Sequence, residues 1–250
     1  MGIFSTFINT LKGKGPNSSA CPTKKQPRIP KRVGGEIGHF GLEHWWFIEL
    51  SDADHELIWS KYVPTGSHPD NIGRFASELT PSRTTAFWLV VLAGYLRPAV
   101  PEEADLILRI AEKAWELKDN RTPARGASAV FTQHLALGGL SKIYYRFRET
   151  PEYLERSLEA ARLQVAMQAA AAAAWKEEQA HLYRATGSRV PRVIPLPSHA
   201  GYTRMAILLE QKGDFEEALA LVREAKAAGW NGDWDKRIER IKKKLKKQKP

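Results

Sequence analysis

Residues 199–230 read HAGYTRMAILLEQKGDFEEALALVREAKAAGW, and the fold turns on this stretch. Two runs with apolar residues at helical spacing flank Gly213-Asp214-Phe215, a glycine-bearing turn. Tyr202, Met205, Ala206 and Leu209 share a face in the first run, and Ala218, Val222 and Ala225 share one in the second. Ala206 and Ala218 let the two helix axes approach closely, while Tyr202, Leu209 and Val222 fill the space around them. A single hairpin cannot bury both of its faces and needs neighbours. The segment that follows supplies one, because Trp234, Ile238, Ile241 and Leu245 form a stripe on a helix expected over 232–248 whose other face is Lys and Arg.

Upstream the pattern is also helical. Thr80-Pro81, Val100-Pro101 and Thr150-Pro151 place proline where a first helical turn accepts it, and Ser51 precedes Asp52, Asp54 and Glu56, acids suited to the positive end of a helix dipole. These signals predict helices over 41–50, 52–62, 81–96, 102–118, 127–147, 151–185, 200–212 and 215–228, with no clear strand alternation. Ile107, Ile110, Ala111 and Ala114 mark a core face, as do Leu154, Leu158, Ala161 and Val165. The six alanines 169–174 give their helix a smooth surface that a neighbour can approach. The longest apolar run, AFWLVVLAGYL at 86–96, is too short for a bilayer and reads as a buried helix.

The 199–230 segment resembles one tetratricopeptide repeat, a helix-turn-helix unit of about 34 residues. Tyr202 stands at the family's first aromatic position, Met205-Ala206 at the apolar-small pair and Leu209 at the later bulky position, with Ala218, Val222 and Ala225 on the second helix. Ala206 stands where the family often has glycine, and Trp230 where it often has proline. A degenerate echo covers 134–165, with Leu137-Gly138, Tyr144-Tyr145, Tyr153 and Ala160-Ala161. The resemblance implies an all-α, irregular stack of helical hairpins, a solenoid-like body over 38–250 closed by a capping helix. It also implies a scaffold that binds a protein or peptide partner, with no catalysis and no cofactor.

Charge narrows what the partner is. The net charge of +10 over 250 residues is uneven: 1–35 carry seven basic residues and no acid, 231–250 carry nine basic and three acidic, and the body between is slightly acidic. Residues 12–38 hold five glycines and four prolines with few apolar side chains, the composition of a flexible linker, so 1–37 is expected to be an extension outside the folded body. Lys24, Lys25, Arg28, Lys31 and Arg32 are the candidate contacts to a polyanion, which makes nucleic-acid association through the basic ends the alternative function. Ile3, Phe4, Phe7, Ile8 and Leu11 form an apolar stripe that suits a partner's groove or a membrane surface. The same end fits Met-Gly-x-x-x-Thr, an acylation pattern, but has no secretory-signal layout. The single Cys21 excludes an internal disulfide, and a reducing, cytoplasmic setting is the expectation.

The candidate partner surface is the stretch before and into the repeat. No acidic residue lies between Glu178 and Glu210, while Arg184, Arg189, Arg192, His199 and Arg204 all do. That field suits an acidic peptide, a carboxylate terminus or a phosphate backbone. The third function class is a hydrolase or metal enzyme, which would rest on His39, Glu43, His44, Asp52, Asp54 and His55. No His-Glu-x-x-His pattern, phosphate loop or nucleophile elbow supports it, and Trp45, Trp46, Phe47 and Trp59 read as anchors of that segment to the body.

Overall fold

The computed structural model describes residues 28–62 and 82–248. The stripe at 1–11, Lys24, Lys25 and Thr80-Pro81 lie outside the described residues. The chain is all-helical, and among the described residues there is no strand, only the isolated bridges Thr84–Pro123 and Ser198–Asn231. The helices are α1 (Gly35–His39), α2 (Asp52–Lys61), α3 (Thr85–Ala93), α4 (Pro101–Glu116), α5 (Gly126–Arg146), α6 (Pro151–Ala166), α7 (Gln168–Ala185), α8 (Ala200–Lys212), α9 (Phe215–Ala227) and α10 (Trp234–Gln248). No described helix is long and apolar enough to cross a membrane.

Successive helices pair as hairpins, α3 with α4, α5 with α6, α8 with α9 and α9 with α10. A regular solenoid would confine contacts to neighbouring units. Here α5 touches α3, α4, α6, α7 and α8, so the stack is organised around one 21-residue helix. Two apolar cores result. The first collects Ile37, Trp45, Trp46, Ile58, Trp88, Leu89, Ile107, Ile110 and Tyr144, and the second Phe131, Ala171, Tyr202, Ala206, Ala218, Val222, Trp230, Trp234 and Ile241.

Four boundaries differ from the sequence expectation. Ile37 is fully buried in the first core and Gly35 opens α1 at a φ of 64°, so the packed body starts before residue 38. The expected helix over 41–50 is shorter and of a different kind, helical over 43–49 with a π-helical turn, Trp45–Glu49, which seats Trp45 and Trp46 in the first core. α3 begins after Thr84, whose hydroxyl accepts from the Phe87 amide at 3.3 Å while its own amide donates to Thr132 Oγ1 at 3.1 Å. The cap is set by this tertiary bond to α5, which a local signal does not carry.

The expected helix 151–185 is two helices, α6 and α7, broken at Met167 (φ −96°, ψ 7°). Neither glycine nor proline marks the break. It turns the chain so that α6 packs on both α5 and α8 while α7 packs along another part of α5. Of the six alanines only Ala171 and Ala174 are buried, so one face of the smooth helix is used. The downstream elements stand close to the reading: Gly213 caps α8 at a φ of 85°, and α10 lays Trp234, Ile238 and Ile241 inward with its lysines outward.

Candidate functional site

The polar centre of the second core was not legible as such. His199 is fully buried and caps α8, its Nδ1 accepting from the Tyr202 amide at 3.2 Å. That bond fixes the tautomer: the proton sits on His199 Nε2, which donates to Nε2 of His134 at 3.1 Å. His134 therefore carries its own proton on Nδ1, a buried atom with no partner. Trp230 stacks on His134 with ring centres 5.1 Å apart and meets His199 edge-on at 4.7 Å. Burial lowers the His134 pKa to about 4; burial, then the neighbouring His134, lowers His199 to about 3. Both rings are neutral in the fold near pH 7.

Gln164 of α6 closes this centre. Its Nε2 donates to the His134 carbonyl at 3.0 Å, and its Oε1 accepts from the Gly201 amide at 2.7 Å, joining α5, α6 and α8. The approach is tight enough to require glycine: a Cβ on Gly201 would stand 2.8 Å from the Ala161 carbonyl oxygen, and one on Gly138 2.4 Å from Gln164 Nε2. A metal-bound histidine normally ligates through one nitrogen and donates from the other. His199 accepts at Nδ1, so the pair is built as a hydrogen-bonded core and not as ligands.

His199 is thus removed from the expected partner surface. Arg204 stands apart from the exposed arginines: it is half-buried with its guanidinium carbon 3.4 Å from the centre of the Tyr145 ring, near the C-terminal end of α5. Arg184, Arg189 and Arg192 are exposed, at and after the end of α7, where the groove beside α7 is lined by Ala127 and Ser128 from the opposite end of α5. Ser128 and Tyr145 are about 26 Å apart along that helix. The five-residue candidate set divides into a core residue, a ring-stacked arginine and an exposed basic trio.

The exposed trio sits on a defined backbone. Gly187 ends α7 at a φ of 69°, the Ser188 amide donates to the Tyr183 carbonyl at 2.8 Å, and Trp175 Nε1 donates to the Pro195 carbonyl at 2.9 Å. Leu196 is buried, and the Asn231 amide donates to the Pro197 carbonyl at 3.1 Å. Between these pins Val193 is 75% exposed, and Leu182 on α7 is 55% exposed. Leu182 and Arg184 line a groove of about 620 Å³ with Ala127, Ser128, Glu178 and His181. Among the described residues none of the three arginines has a carboxylate within ion-pair distance. Arg28, Lys31 and Arg32 are exposed.

The 39–55 set does not converge. His44 Nδ1 lies 3.1 Å from Glu49, His55 Nε2 bonds the Trp46 carbonyl at 2.8 Å with its ring stacked on that indole, and His39 is exposed. Asp54 completes a capping box with Ser51 and takes two bonds from Arg109, at 2.6 and 2.9 Å, which hold its carboxyl well below the usual carboxylate range. No group of three His, Cys, Asp or Glu among the described residues could hold a metal ion. Trp45 and Trp46 are anchors in the first core as read, whereas Trp59 is 41% exposed.

Fold and site together describe an all-helical chain with an exposed basic surface and a buried histidine pair. Comparison with protein-family models, with curated proteins and with solved structures returns no match.

Proposed function

We propose that the chain is a non-catalytic binding protein of tetratricopeptide-like construction that holds an acidic segment of a partner protein. The observation that carries this reading is the trio Arg184, Arg189 and Arg192, exposed and without ion partners among the described residues, on a backbone pinned at both ends. Elsewhere the chain pairs Arg97 with Glu103, Arg109 with Asp54 and Arg240 with Glu210, each at 2.6 Å. Three cations left open beside exposed Leu182 and Val193 offer charge and apolar contact together, the combination a peptide uses. A pinned backbone also lowers the entropy lost on docking.

The repeat reading draws support from packing. Tyr202, Ala206, Ala218, Val222 and Ala225 are all fully buried, Leu209 packs at the margin of the same core, and α10 covers α9.

A fluorescent glutamate-rich peptide titrated into the full chain tests the proposal. Changing Arg184, Arg189 and Arg192 together to Glu is expected to weaken binding at least about tenfold, with the thermal transition unchanged because all three are exposed. Equal affinity in the variant removes this surface. A duplex DNA of matched charge, run alongside, tests the alternative in which basic residues neutralise phosphates: tighter, strongly salt-dependent binding to the duplex would favour it.

A further inference from the structure

Two arginines that the exposed trio does not involve, Arg148 just past the end of α5 and Arg204 of α8, meet at Tyr145 near the C-terminal end of α5. The Arg204 guanidinium carbon lies 3.4 Å from the Tyr145 ring centre and that of Arg148 lies 4.7 Å from the same centre, so the two carbons are at most about 8 Å apart. Arg204 is half-buried, and its Nε is a buried donor with no partner. Among the described residues no carboxylate lies within ion-pair distance of it; Arg148 has only a 3.8 Å approach to Glu149, a side chain 90% exposed. Burial pushes the Arg204 pKa down; Tyr145 opposes that push in part, and the charge of Arg148 adds slightly to it. The chain thus concentrates two positive charges on one aromatic ring and partly desolvates one of them, while among the described residues the one carboxylate in reach is exposed Glu149, 3.8 Å from Arg148. Arg148 also donates to the Tyr145 carbonyl at 3.2 Å. At Asp54–Arg109 the same chain gives a part-buried arginine a two-pronged carboxylate partner, and at Glu210–Arg240 it does so for an exposed one.

We propose that Arg148 and Arg204, backed by Tyr145, form a binding site for a phosphate group. A dianion balances both guanidiniums, whereas one carboxylate would leave a positive charge over. Charge-assisted bonds of about 2.8 Å from each guanidinium to one phosphate are compatible with that upper bound on the separation of the two carbons. Tyr145 holds the Arg204 plane in place, so less side-chain freedom is lost on binding. The phosphate is either that of a small ester or that of a phosphorylated side chain on a partner, and both present the same oxygens.

Inorganic phosphate titrated into the full chain, against sodium chloride of equal ionic strength, is expected to raise Tm saturably and to shift the Nε–Hε resonances of Arg148 and Arg204. Arg148→Gln and Arg204→Lys should each weaken the apparent affinity about tenfold; Arg148 is exposed, so its variant tests the site without disturbing packing. Unchanged affinity in both variants, or an equal response to acetate, overturns the proposal. Changing Arg184, Arg189 and Arg192 to Glu should leave the phosphate response intact, and its loss in that variant would also overturn the assignment. O-phosphoserine and a phosphoserine decapeptide, used as competitors, separate the two sources, the tighter naming the source.

Discussion

The two cores of this molecule are built by opposite means. The first is filled with bulk: Trp45, Trp46, Trp88 and Trp115 with Leu89, Ile107 and Ile110 occupy the space between α3, α4, α5 and the segment before α3. The second is built on closeness, with Ala171, Ala206, Ala218 and Ala225 at its contacts and a polar joint of His134, His199 and Gln164 where α5, α6 and α8 meet. Bulk stabilises through area removed from water, and any branched side chain of similar volume can take part. Closeness depends on small residues that admit no added atom and on polar groups that are costly to leave unpaired, as His134 Nδ1 is. The first core should therefore suffer most from deletion, and the second from insertion and from protonation.

The largest effect is expected in the first core. Trp88 is fully buried, lies 5.2 Å from Phe40 in a stacked arrangement, and donates from Nε1 to the Tyr62 hydroxyl at 3.1 Å. Trp88→Ala removes the indole from a close-packed site that cannot collapse onto it and is expected to cost about 4 kcal/mol. Urea denaturation at pH 7.5 measures it. A loss below about 1 kcal/mol would mean that the first core does not depend on volume.

Acid should act on the second core instead. Folded His134 and His199 have pKa values lowered to about 4 and about 3, below the ordinary 6.5, so the unfolded chain takes up protons first as pH falls. Their contribution is complete above about pH 6.5 and declines from there toward pH 4 and 3. A loss on the order of 3 kcal/mol by pH 5 is expected for the pair. Asp54, beside the first core, has the same sign in a lower window: its lowered pKa gives stability that is present above the ordinary carboxylate pKa and is lost only below it. Unfolding midpoints at pH 7.5 and pH 5 should therefore converge in His134→Gln, which removes one titrating ring. An unchanged slope in that variant would place the acid sensitivity elsewhere.

Legibility in the sequence follows the same division. α8, α9 and α10 were readable because periodicity, a turn glycine and a lysine-rich outer face all act within one segment. The split at Met167 was not, since a helix-favouring run of alanine continues through it and only the docking of α7 on α5 decides where the axis turns. The exposed trio was legible because absence of acids is a property of sequence. His199 was misjudged for the same reason: it stands among arginines, and only His134, 65 residues away, draws it inward. His134 itself carried a weak signal, its place between Phe131 and Leu137 on the buried face of α5.

The smallest of the three effects bears most directly on what closeness means. Ala206 is fully buried in α8, in one core with Ala218, Val222 and Ala225 of α9. Leucine at this position has better hydrophobicity and a helix propensity close to that of alanine, so on transfer alone Ala206→Leu would stabilise. Yet the added carbons must displace α9, or move α8 against the Gly201–Ala161 and Gly201–Gln164 approaches, where even a Cβ has no room. Overpacking should win, at a cost of about 2 kcal/mol measured by urea denaturation at pH 7.5. Ala218→Gly in the same protein should then recover part of the loss by opening space on the facing helix, a coupling between neighbours that two independent sites would not show. A neutral or stabilising Ala206→Leu would mean that the second core holds unfilled volume and that its alanines reflect helix propensity, not the distance between axes.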